Sequence, residues 1–204
     1  MFGKVASDVL GLSDIGAVIK PEDYDKVESD DYVMHEDGET IYFLIKSKSD
    51  EYCFTNMALI HVDGESAASK KRTLRRYTYR LNKISDVMFE TAGTIDKDVE
   101  IKFIMGDHQF SIDVHKNHLG ELKDLYKALL MIAETTHHND TLLSYSRKSL
   151  EMASTTLNRS KNNEKSLHEE FEEINRTAFT WLEESKEKYN VKDFGYVFER
   201  YINN

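Results

Sequence analysis

Near Asn117 the chain changes its hydrophobic period from two residues to three and four, and that single switch leaves few folds open. Before it, seven stretches alternate apolar with polar positions: TIYFLIKSK, EYCFTN, ALIHVD, KRTLRRYTY, ISDVMFE, VEIKFIM and HQFSIDVH. They are rich in β-branched and aromatic residues and are bounded by Asp, Gly, Asn and Ser, as half-buried strands joined by tight turns are. Their connections are short and carry no helical pattern, so consecutive strands must pair antiparallel. The segment therefore predicts a seven-stranded antiparallel barrel or sandwich. After the switch, Leu122, Leu125, Tyr126, Leu129, Leu130 and Ala133 form a broad apolar stripe, suited to a helix that caps one opening of the β-structure.

The composition turns again after THHND. Leu143, Ser146, Leu150, Ala153 and Leu157 step by three and four, the polar run NRSKNN follows, and Leu167, Phe171, Ile174, Ala178 and Trp181 repeat the spacing. Ser166 with Glu169 fits a capping box at the start of the second run. The pattern predicts an α-helical hairpin of two helices, each of roughly 20 residues with one narrow apolar seam. A two-helix unit leaves the backs of its seams wet, so this one is expected to dock on the β-structure or on copies of itself. Self-association is the preferred reading, with Leu143, Leu150, Leu157, Leu167, Phe171, Ile174 and Trp181 as the oligomer interface. Tyr189, Phe194, Tyr196, Phe198 and Tyr201 near the end add aromatic rings that an interface would use. At the other end, Phe2, Val5, Val9 and Leu12 mark a short amphipathic helix, followed by a linker in which Pro21 and an acidic run break the pattern. The fold class is α+β, with residues 1–31 as N-terminal helix and linker, 32–136 as the β-domain with its capping helix, and 137–204 as the helical region.

The net charge of −10 argues against general nucleic-acid binding, which leaves a basic footprint on a domain. No stretch reaches the roughly 18 apolar residues that a membrane-spanning helix needs. A single cysteine, Cys53, excludes an intrachain disulfide and fits a cytoplasmic setting. Against this acidic background, residues 66–85 contain no acidic residue, and KKRTLRRYTYR lies within them. On an extended chain Lys71, Thr73, Arg75, Tyr77 and Tyr79 share one face, while Arg72, Leu74, Arg76 and Thr78 share the other. Neither face is apolar throughout, which marks an edge strand whose charge discourages aggregation or pairs with acidic groups elsewhere. The alternative is an anionic surface: a membrane lipid or another anionic ligand held by Lys70, Lys71, Arg72, Arg75, Arg76 and Arg80.

Two blocks, DGETIYFLIKSKSDEYCFTNMALIHVDG and ISDVMFETAGTIDKDVEIKF, resemble the bacterial pleckstrin-homology-like (PH-like) family over residues 32–135. The remainder is similar to the YvbH-like branch, whose helical extension is named as an oligomerisation region. The resemblance implies a PH-like barrel and homo-oligomers, and it implies no enzymatic reaction. One departure stands out. Many members carry Pro-Tyr before the Ile-containing strand, where this chain has Thr78-Tyr79.

The remaining motifs read as structure. Glu90-Thr91-Ala92-Gly93 supplies small residues for a sharp turn. Asp96, Asp98 and Glu100 alternate on one strand face but lack the glycine and distal glutamate of a Ca²⁺ loop. His137 and His138 are adjacent, so on a helix they point about 100° apart, and His115 with His118 has no zinc-ligand companions. Cys53 sits in an apolar strand as a buried thiol. No nucleophile–base motif or glycine-rich phosphate loop occurs, so no catalytic residue, metal or cofactor is expected. The expected function is a non-enzymatic PH-like scaffold or adaptor that binds itself, with another protein or an anionic lipid as further candidate partners.

Overall fold

The computed structural model describes residues 15–64, 72–91, 98–157 and 166–202. The expected helix over residues 1–14, Lys70, Lys71, Ala92, Gly93, Asp96 and the NRSKNN turn lie outside them. So do the side chains of Leu157 and Leu167. The described chain forms two compact units by contact, one comprising residues 1–133 and 192–204 and the other residues 134–191. Three differences from the expected boundaries stand out. Residues 15–31 belong to the β-unit, the second unit begins at Glu134, and the final segment from Lys192 returns to the β-unit.

All seven expected strands form, and one short strand precedes them. β1 (Ala17–Val18), β2 (Ile41–Lys46), β3 (Asp50–Thr55), β4 (Ala58–Gly64) and β5 (Arg72–Thr78) make a five-stranded sheet in sequence order. β6 (Ile84–Glu90), β7 (Asp98–Met105) and β8 (His108–His115) make a three-stranded sheet. Every pairing between named strands is antiparallel. One corner between the sheets closes where Gly16 donates to Asp113 O at 2.8 Å and accepts from His115 N at 2.9 Å. A Cβ at Gly16 would lie 2.7 Å from Ile45 and 2.9 Å from the Asp113 carbonyl, so only glycine lets the backbones approach this closely. At the opposite corner β5 and β6 end their sheets without pairing to each other.

The alternation explains the core. Phe43, Phe54 and Leu59 are in register across the first sheet and are buried, as are Ile101, Phe103, Phe110 and Ile112 of the second. Phe110 stacks on Phe103 at 4.9 Å and meets Tyr52, His61, Tyr77 and His108 edge-on. Such offset and perpendicular packing suits the aromatic quadrupole. The other face of the first sheet presents Leu44, Cys53 and Ile60. Ile19, Val27 and Val33 cover it, carried by a strap of three 3₁₀ turns, Pro21–Lys26, Glu28–Tyr32 and His35–Asp37. That strap replaces the expected linker. Its acidic residues stay outside while each spaced apolar residue drops onto the sheet. Burial pushes the Cys53 thiol well up, consistent with an inert core position.

The expected capping helix and the first helix of the hairpin are one element, α1 (Leu119–Leu157). Its first turns bury Leu122, Leu125, Ala128, Leu129 and Ile132, with Tyr126 against Phe89 of β6 at 5.8 Å. α2 (Leu167–Tyr189) opens on the expected capping box, Ser166 and Glu169 each satisfying the other's backbone N–H. α3 (Gly195–Tyr201) is the short final helix.

Candidate functional site

The unit of residues 134–191 contains the second part of α1 together with α2. Its two helices meet through a small polar knot. Ser146 Oγ and Ser185 Oγ lie 2.5 Å apart, and Trp181 Nε1 donates to Ser146 Oγ at 2.8 Å. Both serines are buried. Hydrogen bonds between specific partners fix which turn of one helix faces which turn of the other, something an all-leucine seam leaves open. Leu143 and Leu150 are half-buried.

The rest of the apolar surface of this unit is left open to solvent. Phe171 is 66 % exposed, Phe179 65 %, Tyr145 60 % and Met152 71 %, and Ile174, Trp181 and Leu182 are also exposed. Phe171, Ile174 and Trp181 of the expected interface are therefore available to a partner, together with four residues the heptad reading passed over. Phe179 and Leu182 lie off the three-four seam of α2, and Tyr145 and Met152 lie seven residues apart on a second line of α1. A reading tuned to one stripe per helix has no place for them.

The basic strand forms β5 and occupies the expected edge position. Two of its cations are already neutralised. Arg76 Nη2 meets the buried carboxylate of Glu39 at 2.9 Å, and Arg72 Nε lies 3.4 Å from Glu28. Burial works against ionisation of Glu39. Hydrogen bonds from Arg76, Thr55 and the Met34 N–H outweigh it, and its carboxyl is held below the usual value. Arg75 and Arg80 are exposed. Tyr79, at the departure from the family pattern, is fully buried and donates its hydroxyl to Thr55 O at 3.1 Å.

A third locus explains the Phe54-Thr55-Asn56 motif. Asn56 Oδ1 accepts from Thr40 N at 2.8 Å, and its Nδ2 donates to Asp193 Oδ2 at 2.8 Å and to Gly38 O at 3.3 Å. Its carbonyl accepts from Phe194 N at 2.8 Å. Phe194 meets Tyr79 edge-on at 5.7 Å, Phe198 stacks on Tyr42 at 5.3 Å, and both phenylalanines are fully buried. Tyr42 Oη donates to Glu199 at 3.0 Å. A Cβ at Gly195 would stand 2.9 Å from that same hydroxyl, so glycine permits the contact. Phe194 and Phe198, expected as interface rings, thus serve their own β-unit, while Tyr196 stays exposed.

Among the described residues no group of three or more His, Cys, Asp or Glu is placed to hold a metal ion. Glu100 bonds to Ser111 and pairs with Lys102 at 2.9 Å, and His137 and His138 are exposed on α1. No helix among the described residues is long and apolar enough to cross a membrane.

Comparison with known proteins agrees with this architecture. The family model described as Bacterial PH domain matches residues 9–133, and that of the YvbH-like oligomerisation region matches residues 144–204. YvbH of Bacillus subtilis (strain 168) is 59 % identical over 204 residues, 100 % of both chains. A crystal structure of a PH-domain-containing bacterial protein from Exiguobacterium sibiricum 255-15 is 52 % identical. It superposes with a TM-score of 0.87, covering 93 % of this chain and 100 % of that one. The chain belongs to the bacterial PH domain family and carries the YvbH-like oligomerisation region.

Proposed function

We propose that the protein is a non-enzymatic scaffold that assembles with copies of itself through the unit of residues 134–191 and carries its PH-like domain into the assembly. The observation that carries this reading is the row of large apolar side chains left open on that unit, led by Phe171, Phe179, Tyr145 and Met152. Large apolar side chains left exposed together on one small folded unit point to an interaction site. The match of residues 144–204 to a region described by oligomerisation supports a second copy as the partner. The buried Ser146–Ser185 pair stays within each hairpin, and the exposed apolar side chains meet the neighbour.

Sedimentation velocity of the full chain and of the Phe179→Ser/Leu182→Ser variant tests this. Burying each of these side chains is worth about 1.5–3 kcal/mol, so the double change weakens each contact by about two to four orders of magnitude. The full chain is expected to sediment as an oligomer and the variant as a smaller species. A full chain that stays monomeric at tens of micromolar overturns the proposal. Truncation before the hairpin is a poor substitute, because it also removes α3 from the β-unit.

A further inference from the structure

The open corner between the two sheets carries a feature that self-assembly through the helices does not use. Among the described residues β5 ends the five-stranded sheet and pairs on one side only. Tyr79 N donates to Met57 O at 3.2 Å, so residues 79, 77, 75 and 73 direct their backbone groups toward β4. Thr78, Arg76, Leu74 and Arg72 direct theirs outward. The Thr78 carbonyl bears this out by accepting from Leu81 N and Asn82 N, away from β4. Among the described residues the outward N–H and C=O groups of Leu74 and Arg76 meet no strand.

The rim of this edge is built. The strap lies along it, tied by Glu28 to Arg72 and, through Glu39, by Met34 to Arg76. Leu74 on β5 and Met34, one hydrogen bond away from the Glu39–Arg76 pair, stay partly open, at 39 and 47 %. Arg75 and Arg80 are exposed along it.

We propose that the free edge of β5 accepts an extended acidic peptide segment as an added strand. Main-chain hydrogen bonds at Leu74 and Arg76 supply the pairing, and alternate side chains of the incoming strand meet the apolar rim on one side and the arginines on the other. Charge selects the partner. A second copy of β5 would bring arginines opposite arginines, and like charges facing across a strand pair destabilise it. The same cations that block self-pairing attract a strand carrying glutamate or aspartate.

The test uses the full chain with two blocked heptapeptides, one alternating Glu with Val and the other alternating Lys with Val. Titration calorimetry reads affinity, and hydrogen exchange reads the amides of Leu74 and Arg76. The glutamate peptide is expected to bind at least about tenfold more tightly than the lysine peptide and to slow exchange at both amides by about tenfold or more. Arg75→Glu/Arg80→Glu is expected to cancel the preference, and Leu74→Pro, which removes one outward donor at an edge that tolerates proline, to remove the protection. Equal affinity for the two peptides, absence of binding, or binding without protection at Leu74 and Arg76 overturns the proposal. So does capture by liposomes of anionic phosphatidylglycerol with no response to the glutamate peptide. None of these outcomes depends on the hairpin surface, so this inference and the assembly reading stand or fall separately.

Discussion

Glu39 shows how one buried carboxylate organises its surroundings. It accepts from Arg76, Thr55 and the Met34 N–H, so a strand, a turn and the strap all converge on one charge. Its pKa is held below the ordinary carboxylate value, so the folded state favours the charged form. The stability this supplies is therefore complete above the unfolded pKa of about 4.5 and is lost as pH falls through the lower folded value. His108 acts in the same direction. Burial, then Arg75 and His61, depress its pKa, so acidification through and below its usual 6.5 charges it at a cost to the fold. Urea unfolding followed from pH 7 to pH 3 is expected to show stability falling in two stages, and Glu39→Gln is expected to flatten the more acidic stage. Arg76→Met, which strands the carboxylate, is expected to cost about 3 kcal/mol at pH 7.

The strands were legible because alternation survives in any sheet with one buried face, and all seven appear where it predicts them. β1 was not, since two residues carry no period; its place is set by the close approach at Gly16. The strap reads as a linker in the sequence because 3₁₀ turns have no strong apolar repeat, although Ile19, Val27 and Val33 are present to anchor it. The continuity of α1 through THHND is hidden for a different reason. A helix is ended by caps, proline or glycine, and a polar stretch with none of these simply faces water. From Glu121 to Leu157 there is no proline and no glycine. Of the proposed interface residues, Phe171, Ile174 and Trp181 are legible as apolar repeats, whereas the role of Ser146 and Ser185 is hidden because a serine in a seam reads as a gap. Ser146→Ala is expected to cost about 1–2 kcal/mol, because the buried Ser185 hydroxyl loses its partner and Trp181 Nε1 keeps only the longer 3.4 Å bond to the Ser146 carbonyl. The Ser146→Ala/Ser185→Ala pair should cost less than the sum of the two single changes, as a double-mutant cycle by hydrogen exchange within α2 would show.

The two compact units are joined twice, through α1 and through the segment leading into α3. The β-unit is thus completed by residues far along the chain. Phe198→Ala is expected to lower its stability by about 3–5 kcal/mol, the usual cost of removing a buried aromatic ring. Exchange at Tyr42 and Asn56 is expected to accelerate with it. If the β-unit keeps its stability and those amides keep their protection, α3 is an ornament on the fold rather than part of it.

That last dependence reaches into synthesis. Ala133, where the first part of the β-unit ends, leaves the ribosome roughly 60 residues before Phe194, which at 5–20 residues per second is an interval of about three to twelve seconds. Throughout it the β-unit lacks Phe194 and Phe198, the rings that fill the aromatic cleft at Tyr79 and Tyr42 in the finished fold. A neighbouring nascent chain on the same message carries an identical cleft and, further along, an identical plug, so the timing of translation decides whose plug arrives first.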